Sequence, residues 1–391
     1  MSSGMEPKDS TELYNPIATH FATLSDPRVV GRSDHDLLAI LSIAIMSVIC
    51  GCKGWEDMEE WAEDHQAWLK TFLRLPNGIP QHDCYRRVFA ALDPSAFSHC
   101  FMTWMQALVG STEGKLIAID GKTMRRTFDR ASGRSALHIV SAWVASNSVA
   151  LGQVVTDAKS NEITAIPALL ALLDVRGAIV TIDAMGCQKD IAADIVAGGA
   201  DYVLSLKDNH PTAHQEVAEY FAWAISKGTV QSHQTTDGDH GRIEVRTTHV
   251  TTNVDWFEDR SEWKGLQSFV MVESERTIGS KVTTEQRYYL SSLGTTDAAV
   301  VGAYVRAHWS IENTLHWSLD VTFREDDSRI RAGHGPQNLA WLRKLAITLL
   351  KRTPSHRRKV AEGRSLVQRQ THADRNHDYL LSVLTADSQD L

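Results

Sequence analysis

The sequence predicts an α/β protein in which a mixed β-sheet is flanked by helices and preceded by a helical region. Three observations support this prediction. Residues 1–112 carry apolar side chains at helical spacing. Residues 113–228 alternate short apolar runs with amphipathic segments, and residues 229–295 form threonine-rich and aromatic stretches typical of strands.

Residues 1–112 are predicted to be a separate helical domain. Leu37–Cys50 is an apolar run that ends at Gly51, and tryptophans at roughly helical spacing follow it. The run is too short to cross a bilayer, and the first residues carry no signal-peptide pattern. We therefore expect a cytoplasmic protein with no membrane role.

Residues 113–371 are predicted to be a second domain that begins with three consecutive strands and continues as helix, strand, helix, strand, helix. In chain order these elements are Leu116–Ile119, His138–Ala145, Val149–Thr156, Glu162–Leu173, Ala178–Ile182, Lys189–Val196, Tyr202–Leu206 and Thr212–Ile225. The first three strands are expected to form an antiparallel meander, and the strands separated by helices are expected to be parallel. This order is typical of the ribonuclease H-like arrangement.

A β-rich insertion at about 229–295 interrupts that pattern. Its predicted strands are Ile243–Thr252, Gln267–Val272 and Arg287–Leu293. Helices are predicted again at Asp297–Asp320 and Leu339–Lys351. Residues 372–391 are expected to be a polar, loosely held tail.

The composition is that of a globular protein, since 43% of the 391 residues are hydrophobic and 23% are charged. The net charge of −8 argues against a nucleic-acid partner, but basic residues cluster locally. Nine lie between Trp341 and Arg369 against one acid, and five lie between Lys122 and Arg134 against one acid. Such stripes could bind DNA phosphates or could simply be solvated faces. The five cysteines lack zinc-site spacing and are expected to be reduced.

Asp120 and Asp183 each follow a predicted buried strand and precede a small residue. Open α/β sheets bind ligands at the carboxyl ends of their strands, so both side chains are expected at one crevice. Two such carboxylates would repel each other unless a cation lay between them, and Mg²⁺ prefers oxygen ligands. The alternative is that each aspartate is an ordinary turn residue at the end of a strand.

His308, Glu312, His316 and Asp320 recur every four residues and would form one stripe of a helix. Apolar residues between them give the helix a face to bury, so the polar stripe is expected at the rim of a cleft. One alternative is an exposed polar stripe stabilised by neighbouring pairs. Another is a His-Glu-His metal site, although imidazole suits transition metals better than magnesium.

Several motifs resemble insertion-sequence transposases of the H-repeat-associated type, within the DDE superfamily. These motifs are Asp26–Arg28, Ala90–Asp93, Ile119–Thr123, Ile182–Ala184, Leu206–Asn209, Gly241–Glu244, His308–Asn313 and Leu315–Asp326. The likeness extends from about residue 20 to 370. Related families carry a Tyr, Arg, Glu, Lys signature around the glutamate, and here His308 and Leu319 stand at the Arg and Lys positions.

The resemblance implies a ribonuclease H-like core that cleaves and rejoins double-stranded DNA, with Asp120, Asp183 and Glu312 as catalytic residues. Two Mg²⁺ ions are expected, with Mn²⁺ also accepted. Asp120 would bridge both ions, Asp183 would hold one and Glu312 the other. The predicted DNA contacts are Lys122, Arg125, Arg126, Lys207, Arg306, His308, His316, Arg343, Lys344 and Arg352. Recognition of transposon ends is assigned to the N-terminal helices, and synapsis of two ends suggests a homodimer.

Three other functions fit parts of the sequence. The same fold could act as a metal-dependent nuclease without strand transfer. The chain could instead be an idle copy of a mobile element or a domesticated DNA-binding protein. A zinc hydrolase built on His308 and His316 is the third alternative.

Overall fold

The N-terminal part of the chain is helical, as predicted. The computed structural model describes residues 15–29, 31, 33–128, 133, 135–156, 162–239, 242–353, 355 and 363–385. The first helices are α1 (Asn15–Phe21), α2 (Leu37–Cys50), α3 (Trp55–Asp64), α4 (Gln66–Leu69), α5 (His82–Ala91) and α6 (Pro94–Val109). Asp36 and Asp93 cap α2 and α6 by accepting backbone hydrogen bonds of 3.2 and 2.7 Å. Within the described ranges no single helix is long and apolar enough to span a membrane. Only α2 and α3 taken together, as a pair bent by 95°, reach that length and composition.

A single mixed sheet of nine described strands forms the centre of the rest of the chain. The strands are β1 (Leu116–Met124), β2 (Leu137–Val144), β3 (Val149–Thr156), β4 (Ile179–Ile182), β5 (Asp201–Leu206), β6 (Gln231–Asp239), β7 (Arg242–Thr251), β8 (Ser268–Ile278) and β9 (Lys281–Ser291). Their order across the sheet is β3-β2-β1-β4-β5-β9-β8-β7-β6. The pairs β1–β2 and β2–β3 are antiparallel, and β1–β4 and β4–β5 are parallel. This topology confirms the predicted ribonuclease H-like mixed sheet.

The β-rich segment extends this same sheet. β9 pairs antiparallel with β5, with Leu290 opposite Leu204. Three further antiparallel pairs carry the sheet outward to β6. The sequence did not indicate β6 because its residues are polar and exposed, without the alternation that marks a half-buried strand.

Helices flank the sheet and join it to the N-terminal part. They are α7 (Glu162–Leu170), α8 (Lys189–Ala197), α9 (Pro211–Ser226), α10 (Ala298–His308), α11 (Gly335–Arg352), α12 (Leu366–Arg375) and α13 (His377–Leu384). α11 packs against α2, α5, α6 and β3, so one hydrophobic core runs through both parts of the chain. The boundary predicted at residue 112 stays a prediction.

The predicted polar tail is wrong for residues 372–385. α13 buries Leu380, Val383 and Leu384 almost completely. Its polar residues hide an apolar face at helical spacing, and that face packs against α2 and α11. All five cysteines are free thiols, as expected.

Candidate active site

Asp120 and Asp183 lie on neighbouring parallel strands. The β1–β4 register ends with Ile119 opposite Ile182, so the two aspartates come next on each chain segment. β4 ends there as predicted, but the prediction that β1 ends at Asp120 is wrong. β1 continues to Met124 because it stays paired with β2 on its other side. From Asp120 onward β1 is paired with β2 but no longer with β4, which explains why its apolar run stops there.

Glu312 comes from a segment with π-helical hydrogen bonding. Two such segments, Ile311–His316 and Ser318–Thr322, follow α10 directly. The Phe323 amide, for example, donates to the Ser318 carbonyl at 3.1 Å, five residues back. The regular α-helix predicted over Asp297–Asp320 is therefore confirmed only as far as His308. π-helical turns are rare, and they occur frequently at functional sites.

The carboxyls of Asp120, Asp183 and Glu312 all have pKa values above their usual range. Burial is the main cause for Asp120, and the charges of Asp183 and Glu312 add to it, bringing the pKa of Asp120 to about 7. Burial also raises the pKa values of Asp183 and Glu312, and the charge of Asp183 adds to the rise at Glu312. The fold thus brings the three acids within electrostatic range of one another.

Two cations lie near Glu312 and oppose this rise in its pKa. Lys207 is exposed directly after β5, at a position where the sequence predicted a DNA contact. Arg287, on β9, was not predicted. Its guanidinium lies 4.7 Å from the centre of the Trp309 ring, a cation–π contact that only the folded sheet reveals.

A fourth carboxylate, Glu162, lies in the same region and was missed by the sequence analysis. Its Oε1 is 2.8 Å from Nε2 of His138, and its charge contributes to the raised pKa values of Asp120 and Asp183. Gly121 provides the space, because a β-carbon there would overlap both Glu162 and His138. In sequence Glu162 resembles any acidic residue in the first turn of a helix, so no local signal could have identified it.

His308 and His316 both make contacts in the interior. His308 Nδ1 is 2.9 Å from the Thr181 hydroxyl on β4, and burial lowers the pKa of His308 to about 4. His316 Nδ1 is 3.5 Å from Asp120 Oδ2. Burial, then the charges of Lys344 and Lys122, lower the pKa of His316 to about 3. The lowered pKa values favour neutral imidazoles, which join the Glu312 segment to β4 and β1. The DNA contacts predicted at His308 and His316 stay predictions.

The donor set fits a hard divalent cation. In the described part of the chain no three His, Cys, Asp or Glu side chains are already arranged around one metal position. The three acids nevertheless offer oxygen ligands and carry negative charge that their neighbours only partly offset. Raised carboxyl pKa values in a shared crevice are typical of a functional site.

Lys122 lies in a buried ion-pair cluster and does not point toward solvent. Its Nζ is 2.8 Å from Asp320 Oδ1, 3.1 Å from Asp326 Oδ1 and 3.3 Å from Glu325 Oε2, and its side chain is 12% exposed. Burial opposes its charge, but these carboxylates raise the pKa of Lys122 above its usual value. The predicted phosphate contact at Lys122 conflicts with this position, because its ammonium is already surrounded by acids.

The other predicted DNA contacts divide into exposed and buried groups. Arg125, Arg126 and Arg306 are exposed, and among the described residues they pair with Asp326, Asp327 and Asp237, respectively. Arg352 is half-buried. Arg343 and Lys344 are 1% and 2% exposed, so they do not form the surface stripe that the sequence suggested. Both lie on α11, which the core surrounds. Arg130, Arg134, Arg357, Arg358 and Lys359 of the two stripes lie outside the described residues.

Comparison with known proteins agrees with this geometry. The family described as "Transposase DDE domain" matches residues 111–349, and "DDE_Tnp_1-associated" matches residues 18–105. "H repeat-associated putative transposase YhhI" of Escherichia coli K12 is 38% identical over 375 residues, covering 94% of this chain and 97% of that protein. "Putative transposase YncI" of Escherichia coli O157:H7 is 41% identical over 341 residues, covering 86% of this chain and 87% of that protein. The chain therefore belongs to the family of DDE-type transposases.

Proposed function

We propose that this chain cleaves DNA strands and transfers them to new sites, with Asp120, Asp183 and Glu312 holding divalent metal ions. The observation that supports the proposal is electrostatic proximity: the charges of Asp183, after β4, and of Glu312, on the π-helical segment, both raise the pKa of Asp120 on the neighbouring parallel strand β1. Bound Mg²⁺ or Mn²⁺ would activate the attacking oxygen and stabilise the leaving one.

The residues around the three acids have positioning roles in this proposal. His308 holds the start of the Glu312 segment against β4 through Thr181. His316 lies beside Asp120 and limits the movement of its carboxylate. Lys207 and Arg287 supply positive charge near Glu312, where a DNA phosphate would approach. We further propose that two copies act together on DNA, because transposition joins two ends.

The test uses purified full-length protein and a duplex carrying the terminal repeats that flank its gene. We expect nicking that requires Mg²⁺ or Mn²⁺, and joining of pre-cut ends to a target duplex. Glu312→Gln should abolish both reactions, whereas Glu63→Gln, an exposed acid on α3, should leave them unchanged. Nicking without any joining would indicate a nuclease. Normal nicking by Glu312→Gln would exclude the proposed active site.

A further inference from the structure

A cavity of about 610 Å³ lies between the N-terminal helices and the segment that follows Glu312. One wall is formed by residues 53–56 and by Arg86 on α5. The other is formed by Arg324, by residues 327–332 and by Arg343 of α11. Its charged lining residues are six cations, Lys53, Arg86, Arg324, Arg329, Arg331 and Arg343, and two acids, Glu56 and Asp327. The cavity is therefore strongly electropositive.

Arg343 is the residue that marks this cavity as a binding site. It is 1% exposed, and neither Nη1 nor Nη2 has a hydrogen-bond partner among the described residues. Glu325 Oε1 is 3.7 Å from Nη1, which makes a buried ion pair but is longer than a hydrogen bond. The ion pair with Glu325 balances the charge of Arg343 but leaves its buried Nη donors without acceptors at hydrogen-bond distance, so this position favours a ligand that brings acceptor oxygens.

Four of the other five lining cations are positioned to contact such a ligand. Lys53 and Arg329 are exposed. Arg86 forms an ion pair with Asp83 at 2.9 Å, and Arg324 forms one with Asp327 at 3.6 Å. Surface pairs of this kind are weak and exchange readily for a better acceptor.

The cavity is connected to the strand that carries Asp120. Arg125 and Arg126 follow β1 and pair with Asp326 and Asp327, and Asp327 lines the cavity. At about 3.3 Å per residue, the four residues from Asp120 to Met124 cover roughly 13 Å. The end of β1, where Arg125 and Arg126 begin, is therefore about four base pairs of duplex DNA from Asp120, at 3.4 Å each.

We propose that this cavity binds a backbone phosphate of the DNA that flanks the cleavage site, with Arg343 at its base. The inference rests on the proposed function for the identity of the DNA. Arginine suits the ligand because its planar fork donates two parallel hydrogen bonds to phosphate oxygens. Contact with a phosphate would fix the position of the duplex without reading its sequence.

The test is DNA affinity as a function of salt, measured with the full-length protein in EDTA so that no cleavage occurs. Lys53→Gln/Arg329→Gln removes two exposed cations of the cavity. Lys70→Gln/Lys227→Gln removes two exposed cations from helix ends outside it. Arg343 itself is left intact, because its removal would strand Glu325 as a buried charge. Urea unfolding checks that both variants fold normally.

For the cavity variant we expect the slope of log affinity against log salt to fall by about 0.9, the value for one phosphate, equally for specific and unrelated duplexes. The control variant should keep the wild-type slope. Equal slopes in the two variants would overturn the inference. So would inorganic phosphate that stabilises the wild type and not the cavity variant, if duplex DNA fails to compete with it, since the site would then hold a free anion.

The two proposals can fail separately. If the wild type binds DNA with the expected slope difference but never cleaves it, the phosphate site stands and the catalytic proposal falls. If cleavage depends on Glu312 but the cavity variant matches the control, only the phosphate site is wrong.

Discussion

Asp120 and Lys122 lie two residues apart on β1, and each belongs to a group of buried charged side chains. The first group, around Asp120, and the second group, around Lys122, differ in how their charges are balanced. Asp120 meets other carboxylates, and burial and repulsion bring its pKa to about 7. Lys122 lies within ion-pair distance of three carboxylates, and its pKa is raised although burial opposes the charge. The second group is neutralised within the chain itself, whereas the first is only partly neutralised, as the proposed metal site would require. We infer that the group around Lys122 stabilises the fold and that the group around Asp120 serves the proposed chemistry.

The largest expected effect comes from Asp120→Asn. If Asp120 holds metal as proposed, its loss should reduce DNA nicking by roughly 10⁴-fold or more. The free energy of unfolding at pH 8 in EDTA should stay the same or rise, because the change removes a buried charge that repels its neighbours. A plasmid-nicking assay and urea unfolding measure the two quantities.

The pH dependence of stability separates the two groups further. Asp120 has an ordinary pKa of 3.8 and a pKa of about 7 in the folded chain, so the folded state binds the extra proton between these values. Its contribution to stability is complete below about pH 4 and is lost as pH rises through 7. Metal-free wild type should therefore lose stability relative to Asp120→Asn over this window. Parallel curves for the two proteins would contradict the assignment.

Removing an acid from the ion-pair cluster around Lys122 should destabilise the fold, in contrast to Asp120→Asn. Glu325 is 2% exposed, lies 3.3 Å from Lys122 Nζ and is the nearest acid to Arg343. Glu325→Ala should reduce the free energy of unfolding by about 3–5 kcal/mol, because it leaves buried cations without a partner. Asp174→Ala, which breaks an exposed pair with Arg176, should change the urea midpoint little. Similar midpoints for the two variants would show that the cluster is not structural.

The sequence indicated the first group better than the second. Asp120 and Asp183 follow apolar runs that can be recognised locally, and Glu312 lies in a motif, His308–Asn313, that resembles those of insertion-sequence transposases. The pair between Lys122 and Asp326 joins residues 204 positions apart, which no local pattern reveals. The basic residues of α11 looked like a surface stripe because periodicity does not show that neighbouring elements surround the helix. Glu162 was missed for the same reason, since its contact with His138 exists only after folding.

A substitution at Glu162 tests whether this residue acts together with Asp120, Asp183 and Glu312. Its charge acts on Asp120 and Asp183, so Glu162→Gln should weaken the attraction for a cation. We expect the Mn²⁺ concentration for half-maximal nicking to rise about 10-fold. Glu113→Gln, an exposed acid before β1, is the control. An unchanged Mn²⁺ requirement would limit the group to the three predicted residues.

The smallest effect is expected at Lys344, which is within electrostatic range of both His316, beside Asp120, and Lys122. Its Nζ bonds to Ser141 Oγ at 2.8 Å and Gln153 Oε1 at 2.6 Å, and burial lowers the pKa of Lys344 to about 7. Lys344→Met should lower the free energy of unfolding at pH 10.5 by about 1 kcal/mol, because an apolar side chain replaces a largely neutral amine but Ser141 and Gln153 lose a hydrogen-bond donor. As pH falls from about 10.5 to 7, the unfolded chain gains a proton that the folded chain does not, so wild type should lose stability relative to the variant. A wild type that instead gains stability over this window would mean that Lys344 is charged and belongs with the ion-pair cluster around Lys122.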